Sequence, residues 1–197
     1  MRRQLVVLFV IGAVSALSAQ TKPAPKAPAT PARPAANTPA GFIDREVDKL
    51  VALYSDGFST SEPTLRRVTF GPVFAKDSTD AVAFFTLEGV DMTNGHEEYL
   101  ALFAAGQGKG RAPGPVERLY HLVTTERVGG RWSRTLDWAS AKITPGQIIV
   151  KGTRWAPGDA GCCPTQAIEV TFRTTYTLGE DLKFPHFTES ERTLPGK

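Results

Sequence analysis

From Val68 to Leu178 the apolar residues come in alternating or continuous runs of strand length. Gly, Pro, Asn and Asp punctuate them, and no helical three-and-four spacing intervenes. That pattern commits most of the chain to strands, since a period of two places one set of side chains on one face of a sheet. The runs are Val68-Thr69-Phe70 with Val73-Phe74-Ala75 as one extended piece, Ala81 to Leu87, Tyr99 to Phe103, Leu119 to Val123, Trp132 to Trp138, Ile148 to Val150 and Ile168 to Leu178. Asp77 to Asp80 and Asn94-Gly95 read as turns, Asn-Gly being a strong hairpin signal. Gly129-Gly130 and Pro145-Gly146 read as two more. Gly106 to Gly114 carries four glycines and reads as an exposed loop. Seven or so short strands imply a largely antiparallel sheet, curved or closed into a sandwich or half-barrel.

One helix precedes them. Phe42, Ile43, Val47, Leu50, Val51 and Tyr54 recur at spacings of three and four with charged residues between, so a short amphipathic helix with one buried stripe is expected before Asp56-Gly57. The fold class is therefore mainly β (α+β). The folded domain is expected over 42–197, with a tail that frays from about residue 185, where Pro185, Glu189, Glu191 and Pro195 leave a weak pattern.

The first 41 residues have another character. Met1-Arg2-Arg3-Gln4 is basic, Leu5 to Val14 is a run of ten apolar residues, and Ser15 to Gln20 is rich in small side chains. This is the form of a cleavable secretory signal peptide over 1–19, cut near Ser18 or Ala19, and the run is too short for a membrane span. Residues 20–41 hold six prolines and no acidic residue, and are expected as a disordered Pro/Ala-rich linker. The expected localisation is periplasmic or secreted, with no transmembrane span in the mature chain. The formal charge of +3 lies in this stretch: residues 42–197 carry 18 Lys and Arg against 20 Asp and Glu, a net of −2. With no basic run, nucleic acid is excluded as a partner.

The chain has two cysteines and they are adjacent, Cys162 and Cys163. Within a monomer each has only its neighbour. The options are a vicinal disulfide, two free thiols, a bridge to another chain, or a soft-metal site. A vicinal bridge is strained, because neighbouring Cα atoms lie about 3.8 Å apart against the usual 4.4–6.8 Å for bridged pairs. Gly161 and Pro164 favour the turn it needs. The co-ligands for a soft metal would be Met92, His96, His121 and His186, none close in sequence, so no metal and no cofactor is expected.

Glu97 to Ala101, Gly129-Gly130-Arg131, Gly146 to Val150, Pro157 to Gln166 and Tyr176-Thr177-Leu178 follow one another in an order that resembles a group of exported bacterial β-rich proteins carrying a Gly-Asp-x-x-Cys-Cys-Pro-Ser/Thr segment before a long strand. The resemblance covers about residues 80–183. It implies an envelope or secreted β-rich domain and brings no reaction with it. Lys76 to Asp80 departs from the glycine-punctuated acidic turn of that group. A calcium loop is not expected there, and Asp77 and Asp80 read as turn residues.

No catalytic constellation is visible. His96-Glu97-Glu98 lacks the second His of a zinc-protease helix, no nucleophile elbow or phosphate loop is present, and His121 sits inside an apolar strand. Trp132 and Trp138, an even number apart, are expected on one strand face, as core or cross-strand packing rather than as a sugar-stacking platform with Trp155. The sequence thus predicts a non-enzymatic exported domain that binds an envelope component or small ligand. Its Cys162–Cys163 turn would be a structural or recognition element, and Trp155 and Asp159 candidate recognition residues. The alternative is a thiol-based redox sensor or soft-metal binder using the same pair.

Overall fold

The structure, a computed structural model, describes residues 33–106, 120–160, 163–178 and 183–195. The expected leader, most of the linker, nearly all of the glycine-rich loop and Cys162 lie outside the described residues. The described elements belong to one unit, Pro31–Lys197.

Helix α1 runs Pro39–Tyr54 and precedes strands β1 (Arg67–Gly71), β2 (Asp80–Val90), β3 (Gly95–Ala105), β4 (Tyr120–Gly130), β5 (Arg134–Thr144), β6 (Gln147–Arg154), β7 (Gln166–Leu178) and β8 (Lys183–Thr193). The strands form one antiparallel sheet in the order β1 to β8. The mainly β class with one helix and a curved sheet is what the sequence predicts. Most strands reach 11 residues or more, because their polar outward positions extend well past the apolar runs.

Side-chain parity makes the architecture. In β2, Val82 and Phe84 face one way and Ala81, Ala83, Phe85 and Leu87 the other; in β3, Leu100 and Leu102 oppose Tyr99, Ala101 and Phe103. The second set packs under Phe42, Ile43, Val47 and Leu50 of α1. These strands are therefore buried on both faces, which is why they read as continuous apolar runs. The first set meets Leu136, Trp138, Ile148, Val150, Ile168, Val170 and Phe172 in a single core. Residues from β2–β3 and from β5–β7 share one core only if the sheet folds over on itself. The fold line is the β4–β5 corner, where pairing shrinks to Gly130 with Arg134. Each end of the sheet also reaches its other half: the Gly146 N–H of the β5–β6 turn donates to Val73 O, just past β1, at 3.1 Å, and the Phe187 N–H of β8 donates to Glu126 Oε1 of β4 at 3.0 Å.

Several expectations change. The helix starts at Pro39, with Thr38 as its N-cap: Thr38 Oγ1 accepts from the Gly41 N–H at 3.1 Å, and Pro39 stands at the first turn where its missing N–H costs nothing. The linker's last residues are thus ordered. Arg33 pairs with Asp44 and Asp48, while the buried Arg66 reaches Asp48 Oδ1 at 2.7 Å and Asp44 Oδ1 at 3.3 Å. Val73 to Ala75 is a bend rather than strand. Its N–H groups go to side chains instead of a ladder: Val73 and Phe74 donate to Asp80 Oδ2 at 3.0 and 2.8 Å and Ala75 donates to Ser78 Oγ at 3.2 Å, while Asp80 Oδ1 accepts from the Ala105 N–H of β3 at 3.1 Å. Asp80 is a buried turn-former, as its residue type suggests.

The tail does not fray. From Lys183 to Thr193 it is the strand β8, paired along its length with β7. Its pattern looks weak because the positions sharing a face with Phe187 include Glu189 and Glu191, whose carboxylates meet a buried arginine, Arg134, and not an apolar core. Among the described residues no helix is long and apolar enough to cross a membrane.

Candidate functional site

The turns at one end of the sheet gather the chemistry. β4 ends with Gly129 and Gly130, which belong to the strand and not to the turn expected there; the turn is Arg131 to Ser133. A β-carbon on Gly129 would collide with Glu98 Oε2, so glycine is what lets β4 pass the Glu98 side chain. Trp132 sits at the turn's tip with φ +66° and 64% of its surface exposed. The expected pairing of Trp132 with Trp138 on one strand face is therefore wrong. Trp138 lies in the core, stacked on Phe84 with ring centroids 4.3 Å apart, while the turn's left-handed residue throws Trp132 outward. The partner of Trp132 is Trp155, at 5.7 Å between centroids and 41° between planes, and the Arg131 guanidinium lies 4.9 Å over the Trp132 ring.

Trp155 opens the β6–β7 loop, which carries the cysteines. A carboxylate fastens the loop's two ends. Asp159 Oδ2 accepts from the Ala156 N–H at 2.7 Å and the Thr165 N–H at 2.8 Å, and the Thr165 hydroxyl donates to Oδ1 at 2.6 Å. The Thr165 hydroxyl and these two N–H groups hold the Asp159 carboxyl below the usual carboxylate range. Gly158, at φ +92°, takes a left-handed conformation that a side chain would oppose. The Cys163 N–H closes a tight turn on Ala160 O at 3.0 Å. Asp159 and Thr165, six residues apart, thus fasten the two ends of the loop, with Cys163 between them. Cys163 is exposed, and no cysteine among the described residues is free.

Beside Trp132 opens a cleft of about 500 Å³, bordered by the β2–β3 turn (Asp91, Thr93), the start of β3 (His96, Glu97) and the β4–β5 turn. Glu97 is neutralised within it: Arg127 Nη1 donates to Oε1 at 2.5 Å and the Tyr99 hydroxyl to Oε2 at 2.5 Å. Burial works against Glu97, but these two donors hold its carboxyl below the ordinary value. Under the cleft, Glu98 is buried and accepts from the Leu136 N–H at 3.0 Å; burial pushes its carboxyl up to about 7, against the Leu136 N–H and Arg134. His96 Nε2 lies 4.0 Å from Glu98 Oε1. Burial and then Arg131 hold that imidazole below its usual range, with Glu88 opposing, so it is neutral at pH 7. No serine, threonine or cysteine among the described residues hydrogen-bonds to it. Among the described residues no group of three His, Cys, Asp or Glu is placed to hold a metal.

Family models, curated proteins and solved structures return no match to this chain.

The structure brings Trp155 and Asp159 into one loop with Cys163, but it gives them different tasks. Asp159 is occupied in fastening the loop, and Trp155 is half-buried against Trp132. His121 is exposed on β4, and Met92 stands 71% exposed at the tip of the β2–β3 turn. Sequence reasoning missed the conjunction of Arg131 and Trp132 with the cleft, and the burial of Glu98. The signal for the first was a Trp following Gly-Gly-Arg at a hairpin tip, where Gly or Asn is the cheap residue.

Proposed function

We propose that this chain is an exported, non-catalytic recognition domain whose binding end is formed by the β4–β5 turn and the β6–β7 loop, with a vicinal Cys162–Cys163 bridge as the loop's covalent stiffener. The observation that carries this reading is the β6–β7 loop itself. Its acidic residue and its threonine are consumed in closing the loop, while Trp155 is set against the exposed Trp132. A rigid loop presenting an aromatic pair beside an open cleft suits binding more than turnover, since rigid scaffolding of loop residues is how recognition surfaces are held. The exported setting rests on the form of residues 1–19 and on the resemblance to envelope proteins with the same Gly-Asp-x-x-Cys-Cys-Pro-Ser/Thr segment. An oxidising compartment would keep the bridge formed.

The experiment is a thiol titre of the unreduced protein, with intact mass before and after reduction. The expected result is a monomer without titratable thiol that gains the mass of two hydrogens on reduction. Two titratable thiols that disappear on adding copper(I) or zinc would instead establish the thiol-active alternative.

A further inference from the structure

Trp132 occupies a backbone conformation that costs an L-residue of its size, and it is held out into solvent. Left-handed dihedrals belong to Gly, Asn and Asp at hairpin tips, and a bulky residue kept there signals use rather than packing. Its neighbours do not bury it. Arg131 lies over the ring and Trp155 leans on it at 41°, so the two indoles form a shallow angled platform and not a closed stack. The Trp155 Nε1–H is a buried donor with no acceptor among the described residues.

The cleft adjoining this platform is polar, and its free groups are of mixed kind. The Arg131 guanidinium and the Ser133 hydroxyl make no hydrogen bond that the structure describes. The Asp91 side chain is in the same state, only its backbone N–H being used, toward Asp56 Oδ2 at 2.8 Å. Arg127 and Glu97 neutralise one another. That leaves one cation, one anion, a hydroxyl and the His96 imidazole around a cavity whose volume lies within the usual small-ligand range of about 300–1,000 Å³. A polyanion would meet Asp91, and an apolar ligand would strand the polar groups without partners. A pyranose offers apolar C–H faces for an indole, and hydroxyls that both donate and accept at its rim.

We propose that the Trp132–Trp155 platform and the adjoining cleft bind a neutral oligosaccharide, one pyranose ring stacked on Trp132 with its hydroxyls on Asp91, Arg131 and Ser133. This rests on the recognition reading above and names its ligand class. The thiol titre decides the state of the cysteines whatever the outcome here.

The test is calorimetric titration of the oxidised full chain with chitotetraose, cellotetraose, maltotetraose and mannotetraose, and with sucrose octasulfate as the polyanion. Saturable binding of at least one neutral tetrasaccharide is expected, carried to about 10 mM so that a millimolar Kd is seen. Trp132→Gly suits the left-handed backbone and should keep the fold, while weakening binding by about tenfold or more. Asp91→Asn tolerates its own φ of +54° and should weaken binding several-fold, which keeps the test decisive if the glycine variant fails to fold. The proposal is overturned if no neutral tetrasaccharide saturates, if only the octasulfate binds, or if folded Trp132→Gly binds within about twofold of the parent.

Discussion

Asp159 and Glu98 are both carboxylates bonded to backbone N–H groups, yet burial gives them opposite titrations. Asp159 is solvated and its donors hold it ionised, so its folded pKa is depressed. Its contribution is present above the unfolded carboxylate range and is lost as pH falls through the lowered value. Asp159→Ala should lower the hydrogen-exchange protection of the Ala156 and Thr165 amides at neutral pH, and the parent should lose that protection only in acid. Unchanged protection in the variant would remove the loop-fastening role. Glu98 has its folded pKa raised to about 7 by burial, so the native state holds a proton that the unfolded chain releases. Stability should therefore fall as pH rises from about 4.5 to 7 and level off above. Glu98→Gln should abolish that slope and stabilise the chain by a few kcal/mol at pH 8, where the parent must hold a buried carboxylate ionised. Urea midpoints at pH 5 and pH 8 for both chains measure it.

At the scale of elements, the edge strand β8 depends on Arg134. From the first residue of β5 its guanidinium forks onto Glu189, meets Glu191 at 3.2 Å, and gives its Nε–H to Val128 O at 2.7 Å. One side chain thus joins β4, β5 and β8 at the corner where the backbone ladder is down to a single residue pair. Removing it would leave two carboxylates facing the core rim. Arg134→Ala should cost about 2 kcal/mol, moderated because Glu189 is partly solvated, and should raise amide exchange along β8 more than along β2 and β3. Equal exchange changes in all three strands would show that the arginine supports the whole sheet and not this edge.

For the whole molecule, two cores share one pair of strands. Phe84 and Phe85 are adjacent and both fully buried, one toward the folded-over sheet and one toward α1. Phe84→Ala and Phe85→Ala should each cost about 3–5 kcal/mol. Only the second should be coupled to Ile43→Ala in a double-mutant cycle, because additivity fails for residues sharing a packed cluster and holds across separate ones. A chain starting after α1 would expose Phe85, Leu87, Ala101 and Phe103 on one sheet face and should elute as aggregate in size exclusion. A monomeric, soluble truncation would mean that the helix layer is dispensable.

The sequence by itself determined the strand-rich class, the single amphipathic helix, the β2–β3 hairpin and the peculiarity of two adjacent cysteines. All of these are local: periodicity, turn residues and neighbour identity act within a dozen positions. Tertiary structure alone decided which strand face met which core, since Ala81 to Leu87 carries no alternation when both faces are covered. It also turned a polar tail into β8, because the partner of Glu189 and Glu191 is an arginine 55 and 57 residues away. The candidate site is divided in the same way. Asp159 and Thr165 are close in sequence and their segment could be read as a unit. Trp132 and Trp155 lie in different turns, and only the pairing of β5 with β6, which sets Arg134 opposite Arg154, brings the two indoles into contact.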